Sequence, residues 1–307
     1  MTIVKKIGNF ICHPSVGLNV MLSSIAPLIR NDELFIRMKW KLRMNYPLDL
    51  EHPQTYNEKL QWLKLHDRKP IYTTMVDKCE AKKYVADIIG QEHIVPTLAV
   101  YDRVEDIDFD TLPHQFVLKC THDSGGVVIC RDKEFFDKKR ALRKLKKFLK
   151  RSYFWQNREW PYKNVRPRII AEKYISDENG ELKDYKFFCF NGIPQIMFVL
   201  KDRGIDTRLN FYDMEFNKLP FERGYPNFKN EEEKPQGWDE MIEMSRQLSK
   251  CMSHVRIDFY NINGHIYFGE LTFFPGSGLE QFKPMKWDCI MGEWIKLPEN
   301  ARKDDSN

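Results

Sequence analysis

The 307-residue chain has 49 Lys and Arg against 44 Asp and Glu, a formal net charge of +5, and 42% hydrophobic residues. This composition excludes a disordered polypeptide, and the length allows a large core in one lobed domain or in two domains. The positive charge suits an anionic ligand such as a nucleotide or an acidic sugar. It is too small and too dispersed to predict a nucleic-acid partner.

Residues 1–54 are predicted to form a helical and basic N-terminal segment. Residues 7–29 contain no Asp, Glu, Lys or Arg, but prolines and polar residues interrupt them, so a membrane-spanning helix is not expected. Residues 30–46 alternate basic with aromatic and aliphatic side chains. This pattern fits a peripheral contact with the inner face of a membrane, and it fits equally a solvated helix face packed on its own domain.

The cysteines indicate a compartment. Seven cysteines are scattered along the chain, with no CxxC pair and no His/Cys cluster at zinc spacing. A reducing cytoplasm is therefore the expected location.

Residues 55–110 are predicted to be a helical region that precedes the main domain. TYNEKLQWLKLHD starts at a Thr55 cap with Glu58 three residues later, which is a capping-box pattern. DKCEAKKYVADIIG ends at Gly90, a residue typical of helix C-termini. Two helices are expected here.

The pattern changes to short strands within the main domain, residues 111–298. QFVLKC and GVVICR flank a Ser-Gly-Gly turn, and a basic amphipathic helix follows over about 134–151. Four further strands are expected in RIIAEKYI, DYKFFCF, PQIMFVLK and RLNFYD, then a helix over about 238–252 and a final hairpin. This order predicts an α+β fold with mostly antiparallel strands, followed by a disordered tail at 299–307.

The segment FVLKCTHDSGG, residues 116–126, is a candidate phosphate site. Lys119 ends a predicted strand, and a Gly-rich turn follows, so an ammonium group and free backbone N–H groups would point to one place. A Ser-Gly-Gly turn in an ordinary hairpin is the alternative interpretation.

A second candidate site lies in the predicted strand DYKFFCF. Asp184 and Lys186 are two residues apart and would point to the same face of a strand. They could bind a ribose hydroxyl and a phosphate, or they could form an exposed cross-strand ion pair.

The final hairpin, VRIDFYNINGHIYFGELT, contains two acids within an aromatic pattern. If Asn263 and Gly264 form a two-residue turn, Asp258 faces Gly269, and Glu270 points to the opposite side of the sheet. A three-residue loop over 263–265 instead places Asp258 directly across from Glu270, with Thr272 on the same face. In the second arrangement three oxygen side chains beside an anionic ligand would suit Mg²⁺, whereas a two-residue turn without a compensating bulge would abolish this site.

Taken in order, several segments resemble the ATP-grasp superfamily, and in particular its TupA-like (teichuronopeptide biosynthesis) family. The resemblance covers about residues 35–290 and is carried by HPQTYNEKLQWLKLHDR, DKCEAKKYV, IVPTL, LPHQFVLKCTHDSGG, PRIIAEKYI, DYKFFCFNG and LNFYD. It implies two α+β lobes with antiparallel sheets that grip ATP, lobe one at about 111–170 and lobe two at about 171–298.

The resemblance also implies roles for individual residues. The residues it assigns to ATP are Lys119, His122, Ser124, Gly125, Gly126, Glu172, Lys173, Ile175, Asp184 and Lys186. The magnesium ligands would be Asp258, Glu270 and Thr272, the last at a position where relatives usually carry asparagine. Arg256, Lys186 and the backbone N–H of Gly276 would stabilise the reacting group.

The implied function is an ATP- and Mg²⁺-dependent ligase of surface-polysaccharide biosynthesis. It would activate a small-molecule or glycan carboxylate as an acylphosphate for attack by an amine or another nucleophile. Lys201, Arg203 and Arg208 are candidates for contacts to the γ-phosphate or an acidic acceptor. Two alternatives stay open: a glycosyltransferase, for which DIDFD at 106–110 would hold the metal, and an inactive ATP-grasp scaffold.

Overall fold

The computed structural model describes residues 14–178, 182–201, 206–230 and 232–298. The helices are α1 (Pro14–Ile25), α2 (Asp32–Arg43), α3 (Tyr56–His66), α4 (Ile71–Val76), α5 (Glu80–Ile89), α6 (Lys138–Leu149), α7 (Phe154–Asn157), α8 (Trp238–Ser249) and α9 (Lys286–Trp294). The strands are β1 (Thr97–Tyr101), β2 (Phe116–Cys120), β3 (Val127–Cys130), β4 (Ile169–Lys173), β5 (Lys183–Phe190), β6 (Ile193–Lys201), β7 (Arg208–Asp213), β8 (Glu222–Arg223), β9 (His254–Ile262), β10 (His265–Thr272) and β11 (Phe282–Lys283). The predicted disordered tail, 299–307, lies outside the described residues.

The helices before the main domain follow their local signals. The Thr55 side chain accepts a hydrogen bond from the Glu58 backbone, and the Glu58 side chain accepts one in return, so the predicted capping box is confirmed. Helix α5 ends at Gly90, whose φ of 105° favours glycine. Across the described part of the chain, no helix is both long enough and apolar enough to cross a membrane.

A four-stranded antiparallel sheet has the strand order β1-β4-β2-β3. Helix α6 covers it and buries Leu145 against the sheet. The sheet corrects the predicted helical region 55–110, because β1 lies within that region. Strand β1 is a partly exposed edge strand of five residues, so its sequence lacks the clear alternation of a half-buried strand. The sheet also continues to Lys173, past the predicted end of lobe one.

A five-stranded antiparallel sheet has the order β10-β9-β5-β6-β7, and its central strand β5 is buried on both faces. Phe187 packs on one face against Trp238 of α8, and Phe188 packs on the other against Tyr56 of α3. The predicted α+β class with two antiparallel sheets is therefore confirmed.

The β9–β10 hairpin combines both registers that the sequence allows. Asn263 and Gly264 have φ values of 51° and 89° and form the two-residue turn, so the three-residue alternative is wrong. The register then shifts by one residue between Phe268 and Glu270. This β-bulge at Gly269 places Glu270 opposite Asp258, as predicted, although through a different device.

Glycine is required at the bulge because the two strands approach closely there. A Cβ atom added to Gly269 would lie 2.9 Å from the Asp258 backbone oxygen. We predict that Gly269→Ala lowers the free energy of unfolding by about 1–3 kcal/mol, measured by urea denaturation. Gly264→Ala in the turn is the comparison for backbone strain alone, since its φ of 89° disfavours alanine but its methyl group meets the Gln236 side chain and no backbone atom. Wild-type stability of Gly269→Ala would contradict this account of the bulge.

Candidate active site between the two sheets

Asp258 is the centre of a buried charge cluster on the five-stranded sheet. Its side chain is 2% exposed and contacts both Arg256 and Lys186. Arg256 Nε donates to Oδ1 at 2.6 Å, Arg256 Nη2 donates to Oδ2 at 2.8 Å, and Lys186 Nζ also donates to Oδ2. Burial raises the pKa of Asp258, and the charges of Arg256 and Lys186 oppose that rise.

The prediction that Asp184 and Lys186 share a face is confirmed. Lys186 Nζ lies 2.7 Å from Asp184 Oδ2, and the two side chains are 6% and 11% exposed. An exposed ion pair is therefore the wrong alternative. Lys186 bridges two carboxylates. Although burial acts to lower the pKa of this lysine, Asp184 and Asp258 together hold it above its usual value.

Glu270 is the accessible acid of the same face. Its side chain is 39% exposed, and its Oε1 accepts from Arg256 Nη2 at 3.1 Å and from the Thr272 hydroxyl at 3.3 Å. No other described residue bonds to Oε2, so this oxygen can bind a ligand. Burial acts to raise the pKa of Glu270, but Lys78, Arg256 and other cations lower it to about 2. The acid is ionised throughout the physiological range.

Lys119 lies on the four-stranded sheet, where Glu172 holds it. Glu172 is 6% exposed and accepts from Lys119 at 2.6 Å and from Lys82 of α5 at 2.5 Å. Burial acts to raise the pKa of Glu172, yet the two lysines lower it below its usual value. In this arrangement the Glu172 side chain positions two cations, whereas the resemblance had implied an ATP contact for this residue.

The two sheets face each other across a narrow cleft. A cavity of about 20 Å³ between them is lined by Lys78, Lys82, Lys119, Glu172 and Glu270, among others. The charge of Lys119 reaches Glu270 and helps to lower its pKa. The cavity holds little more than one water molecule. A nucleotide can therefore enter only if the lobes separate or side chains rotate.

The Gly-rich turn after Lys119 has a fixed base and an open tip. His122 and Asp123 are buried, and His122 Nε2 lies 2.9 Å from the Arg151 carbonyl. Lys78 Nζ donates to the Asp123 carbonyl at 2.9 Å. Ser124 and Gly125 are exposed at the tip, and Gly126 is buried at its end. At the tip the Ser124 N–H donates to Asp123 Oδ1 at 2.7 Å, and the His122 side chain serves the fold of the turn.

Gly276 lies in a strained turn, Pro275–Gly278, beyond the end of β10. Gly276 and Ser277 have φ values of 58° and 57°. Buried groups fix the turn: Lys64 Nζ donates to the Ser277 carbonyl at 2.8 Å, and Ser277 Oγ donates to Glu159 at 2.5 Å. The exposed Gly276 backbone is thereby held in one place.

Other predicted residues lie outside the charge clusters. The backbone N–H of Lys173 donates to the Pro96 carbonyl at 3.0 Å, and Ile175 is partly buried beyond the end of β4. Lys201 pairs with Glu232, and Arg208 pairs with Asp206 at 2.9 Å. Arg203 lies outside the described residues. The three acids of DIDFD are exposed in a loop of the four-stranded lobe.

The sequence profile described as TupA-like ATPgrasp matches residues 58–296. The chain belongs to the TupA-like ATP-grasp family. The match covers α3 to α9 and both sheets, including every residue that the structure gathers around the cleft. A comparison with curated proteins finds no significant match.

Solved structures that are similar to this chain include two ligases and a synthetase. A D-alanine–D-alanine ligase from Bacillus anthracis complexed with ATP is 16% identical, with a TM-score of 0.39 over 65% of this chain and 53% of that one. A D-alanine–D-alanine ligase from Helicobacter pylori is 14% identical, with a TM-score of 0.39 over 72% and 61%. D-cycloserine synthetase DcsG is 14% identical, with a TM-score of 0.38 over 74% and 72%. The chain spans about half to two thirds of the length of the two ligases.

The oxygen ligands at this site fit Mg²⁺ if substrate phosphates complete its coordination. Within the described residues no group of three or more His, Cys, Asp and Glu can hold a metal ion. Two carboxylates, Asp258 and Glu270, and the Thr272 hydroxyl share one face. Mg²⁺ is commonly bound by one or two carboxylates plus waters and substrate phosphates, so this set is sufficient only with a nucleotide present.

Lys78, Lys82 and Gly269 are site residues that sequence reasoning missed. The two lysines lie in DKCEAKKYV, which was quoted for the resemblance, but their contacts with Asp123 and Glu172 are tertiary. Gly269 carried a signal, because a lone glycine within a strand pattern often marks a bulge.

Charge compensation at Asp258 can be tested on stability. We predict that Lys186→Met lowers the free energy of unfolding by about 3–5 kcal/mol, because it leaves buried carboxylates with one cation fewer. Lys183→Met on the same strand is the control, since Lys183 is exposed and pairs with Glu232 at 3.7 Å. Its loss should cost less than about 1 kcal/mol. Equal effects in urea denaturation would contradict the assignment.

The low pKa of Glu270 predicts a pH dependence. A carboxyl group whose pKa falls from 4.5 unfolded to about 2 folded adds stability above about pH 4.5 and loses it as the pH falls towards 2. Wild-type protein should therefore exceed Glu270→Gln in unfolding free energy at pH 6, with the difference vanishing near pH 2. Glu243→Gln, at an exposed residue of α8, is the control. A difference that stays constant with pH would contradict the prediction.

Proposed function

We propose that the protein is an ATP- and Mg²⁺-dependent carboxylate–amine ligase. The observation that carries the proposal is the convergence of Lys119 from one sheet with Lys186, Arg256, Asp258 and Glu270 from the other, in a chain of the ATP-grasp superfamily. Cations and carboxylates that face each other across a cleft suit a metal-bound triphosphate.

The reaction would proceed in two steps. An oxygen of the substrate carboxylate attacks the γ-phosphorus of ATP, and ADP leaves. The amine then attacks the acyl carbon of the acylphosphate, phosphate leaves, and an amide forms. Magnesium, when bound, neutralises the charge of the phosphates.

This chain's own residues would bind and orient the reactants. Lys119 and Lys186 lie on opposite walls, where ammonium groups can hold phosphate oxygens. Glu270 offers Oε2 to the metal, while Arg256 holds the other oxygen. Gly276 is held in its turn by Ser277, so that its N–H could face the reacting carboxyl group.

We further propose that the reaction decorates a capsule or similar glycan, for example by joining an amino acid to a uronic acid. The support is membership of the TupA-like family, because the resemblance of this chain to that family implies surface-polysaccharide biosynthesis. The DIDFD acids are exposed and do not line the cavity between the sheets, so nothing observed at them favours the glycosyltransferase alternative.

The test is ADP release from Mg-ATP in the presence of amino acids paired with uronic acids or glycan intermediates. We predict turnover only with a carboxylate and an amine together, and its loss with EDTA. Glu270→Gln should lower kcat/KM by about 100-fold or more, as the loss of a charge-stabilising group does. The matched control, Glu243→Gln, should retain wild-type activity.

Three outcomes would contradict parts of the proposal. Cleavage of a sugar nucleotide without ATP would indicate a glycosyltransferase. Equal turnover by wild type and Glu270→Gln would remove the site assignment. Absence of both nucleotide binding and turnover in the wild type would indicate a scaffold.

A further inference from the structure

A second cavity lies between the Gly276 turn and the N-terminal helices α1 and α2. It has a volume of about 150 Å³. Its polar side chains come from α1, α2, α7 and the turn: Asn19, Ser23, Lys39, Arg43, Gln156, Asn157 and Ser277. Leu279 is its one apolar lining residue, within the described part of the chain. A cavity of only about 10–15 Å³ holds one water molecule, so this one can accept a ligand of monosaccharide size.

The cavity carries positive charge without a matching acid. Lys39 is 3% exposed, and its Nζ donates to Asn19 Oδ1 at 2.7 Å and to Ser23 Oγ at 2.6 Å. Arg43 lies one helical turn further along α2 and is exposed. Neither side chain forms an ion pair with a described carboxylate, and no Asp or Glu lines the cavity. A cavity lined by two cations and by neutral hydrogen-bonding groups favours an anionic, hydroxylated ligand.

A second observation indicates a ligand. Gln156 lines the cavity, and its Nε2 is buried without an acceptor among the described residues. A buried amide donor without a partner is costly, and a ligand oxygen would satisfy it. Next to it, Asn157 Nδ2 donates to Ser277 Oγ at 2.9 Å, so the wall of the cavity is tied to the turn that carries Gly276.

Burial and the charge of Arg43 lower the pKa of Lys39 to about 8. A bound carboxylate would oppose both effects and keep the lysine protonated. The cations also lie on α2, outside the family match over 58–296. The cavity therefore lies between helices outside the family match, α1 and α2, and the Gly276 turn, which is inside the match.

We propose that this cavity binds the sugar-acid substrate of the ligation, a hydroxylated carboxylate of monosaccharide size, beside Gly276. Arg43 would contact the acid group, the charge of Lys39, whose three N–H groups bond to Asn19 and Ser23, would attract it from behind, and the amide side chains of Asn157 and Gln156 would contact hydroxyl groups. The proposal rests on the ligase function proposed above, because it makes the ligand a substrate of that site.

The experiment is equilibrium dialysis of the full chain with radiolabelled D-glucuronate and D-galacturonate, with D-glucose as the neutral probe and inorganic phosphate as the competing anion. Arg43→Gln is the main variant, since Arg43 is exposed and its loss should not disturb folding. Lys39→Met is the second variant, and its fold is checked by thermal denaturation. Lys41→Gln, an exposed residue of the same helix that does not line this cavity, is the matched control.

We expect the wild type to bind at least one uronate at least 10-fold more tightly than glucose. Arg43→Gln and folded Lys39→Met should weaken uronate binding at least 10-fold, and Lys41→Gln should change it less than 2-fold. Equal affinity for glucose, inorganic phosphate binding as tight as uronate, no uronate binding, or equal losses in Arg43→Gln and Lys41→Gln would each overturn the proposal.

Binding of Mg-ATP is measured separately on the same proteins. If uronate binds as expected but ATP does not, the proposed ligase function fails while the cavity remains a sugar-acid site. If ATP is bound and turned over but no uronate binds, the cavity assignment alone fails.

Discussion

The candidate active site depends on one backbone irregularity, the β-bulge at Gly269. Without it, the two-residue turn at Asn263 and Gly264 would direct Glu270 to the opposite face of the sheet, where Phe268 and Ile266 are buried. The bulge shifts the register by one residue, so that Glu270 lies opposite Asp258 and Thr272 lies opposite Arg256. Because a side chain at residue 269 would collide with the Asp258 backbone, glycine is a condition of this arrangement.

The second requirement of the site is that its buried carboxylates have cations in contact with them. Asp258 would be costly to bury alone, and Lys186 and Arg256 neutralise it in close contact. Across the cleft, Glu172 pairs with both Lys119 and Lys82, which leaves one cation in excess on that sheet. The five-stranded sheet has one acid in excess, because Asp184, Asp258 and Glu270 face only Lys186 and Arg256. The two clusters influence each other through Lys119 and Glu270. Such a cleft is prepared for a ligand that brings both negative charge and a cation.

The sequence predicted those parts of the fold and site that depend on local pattern. Alternation placed Asp184 and Lys186 on one face, and the capping box placed the start of α3. The pairing of Asp258 with Glu270 was predicted correctly, but through a three-residue loop rather than a β-bulge. The bulge could not be predicted from the local pattern, because it depends on how closely the partner strand approaches Gly269. Edge strand β1 was missed because it is partly exposed. The support of Gly276 by Lys64 and Glu159 was missed because residues distant in sequence make it.

The most direct test of the central claim is a crystal structure with Mg²⁺ and a non-hydrolysable ATP analogue. The account predicts a metal ion bound by carboxylate oxygens of Asp258 and Glu270 at about 2.0–2.1 Å, with Lys119 and Lys186 at the phosphates. A nucleotide outside the cleft would contradict it. So would a metal bound by phosphates alone, with Asp258 still held by Lys186 and Arg256.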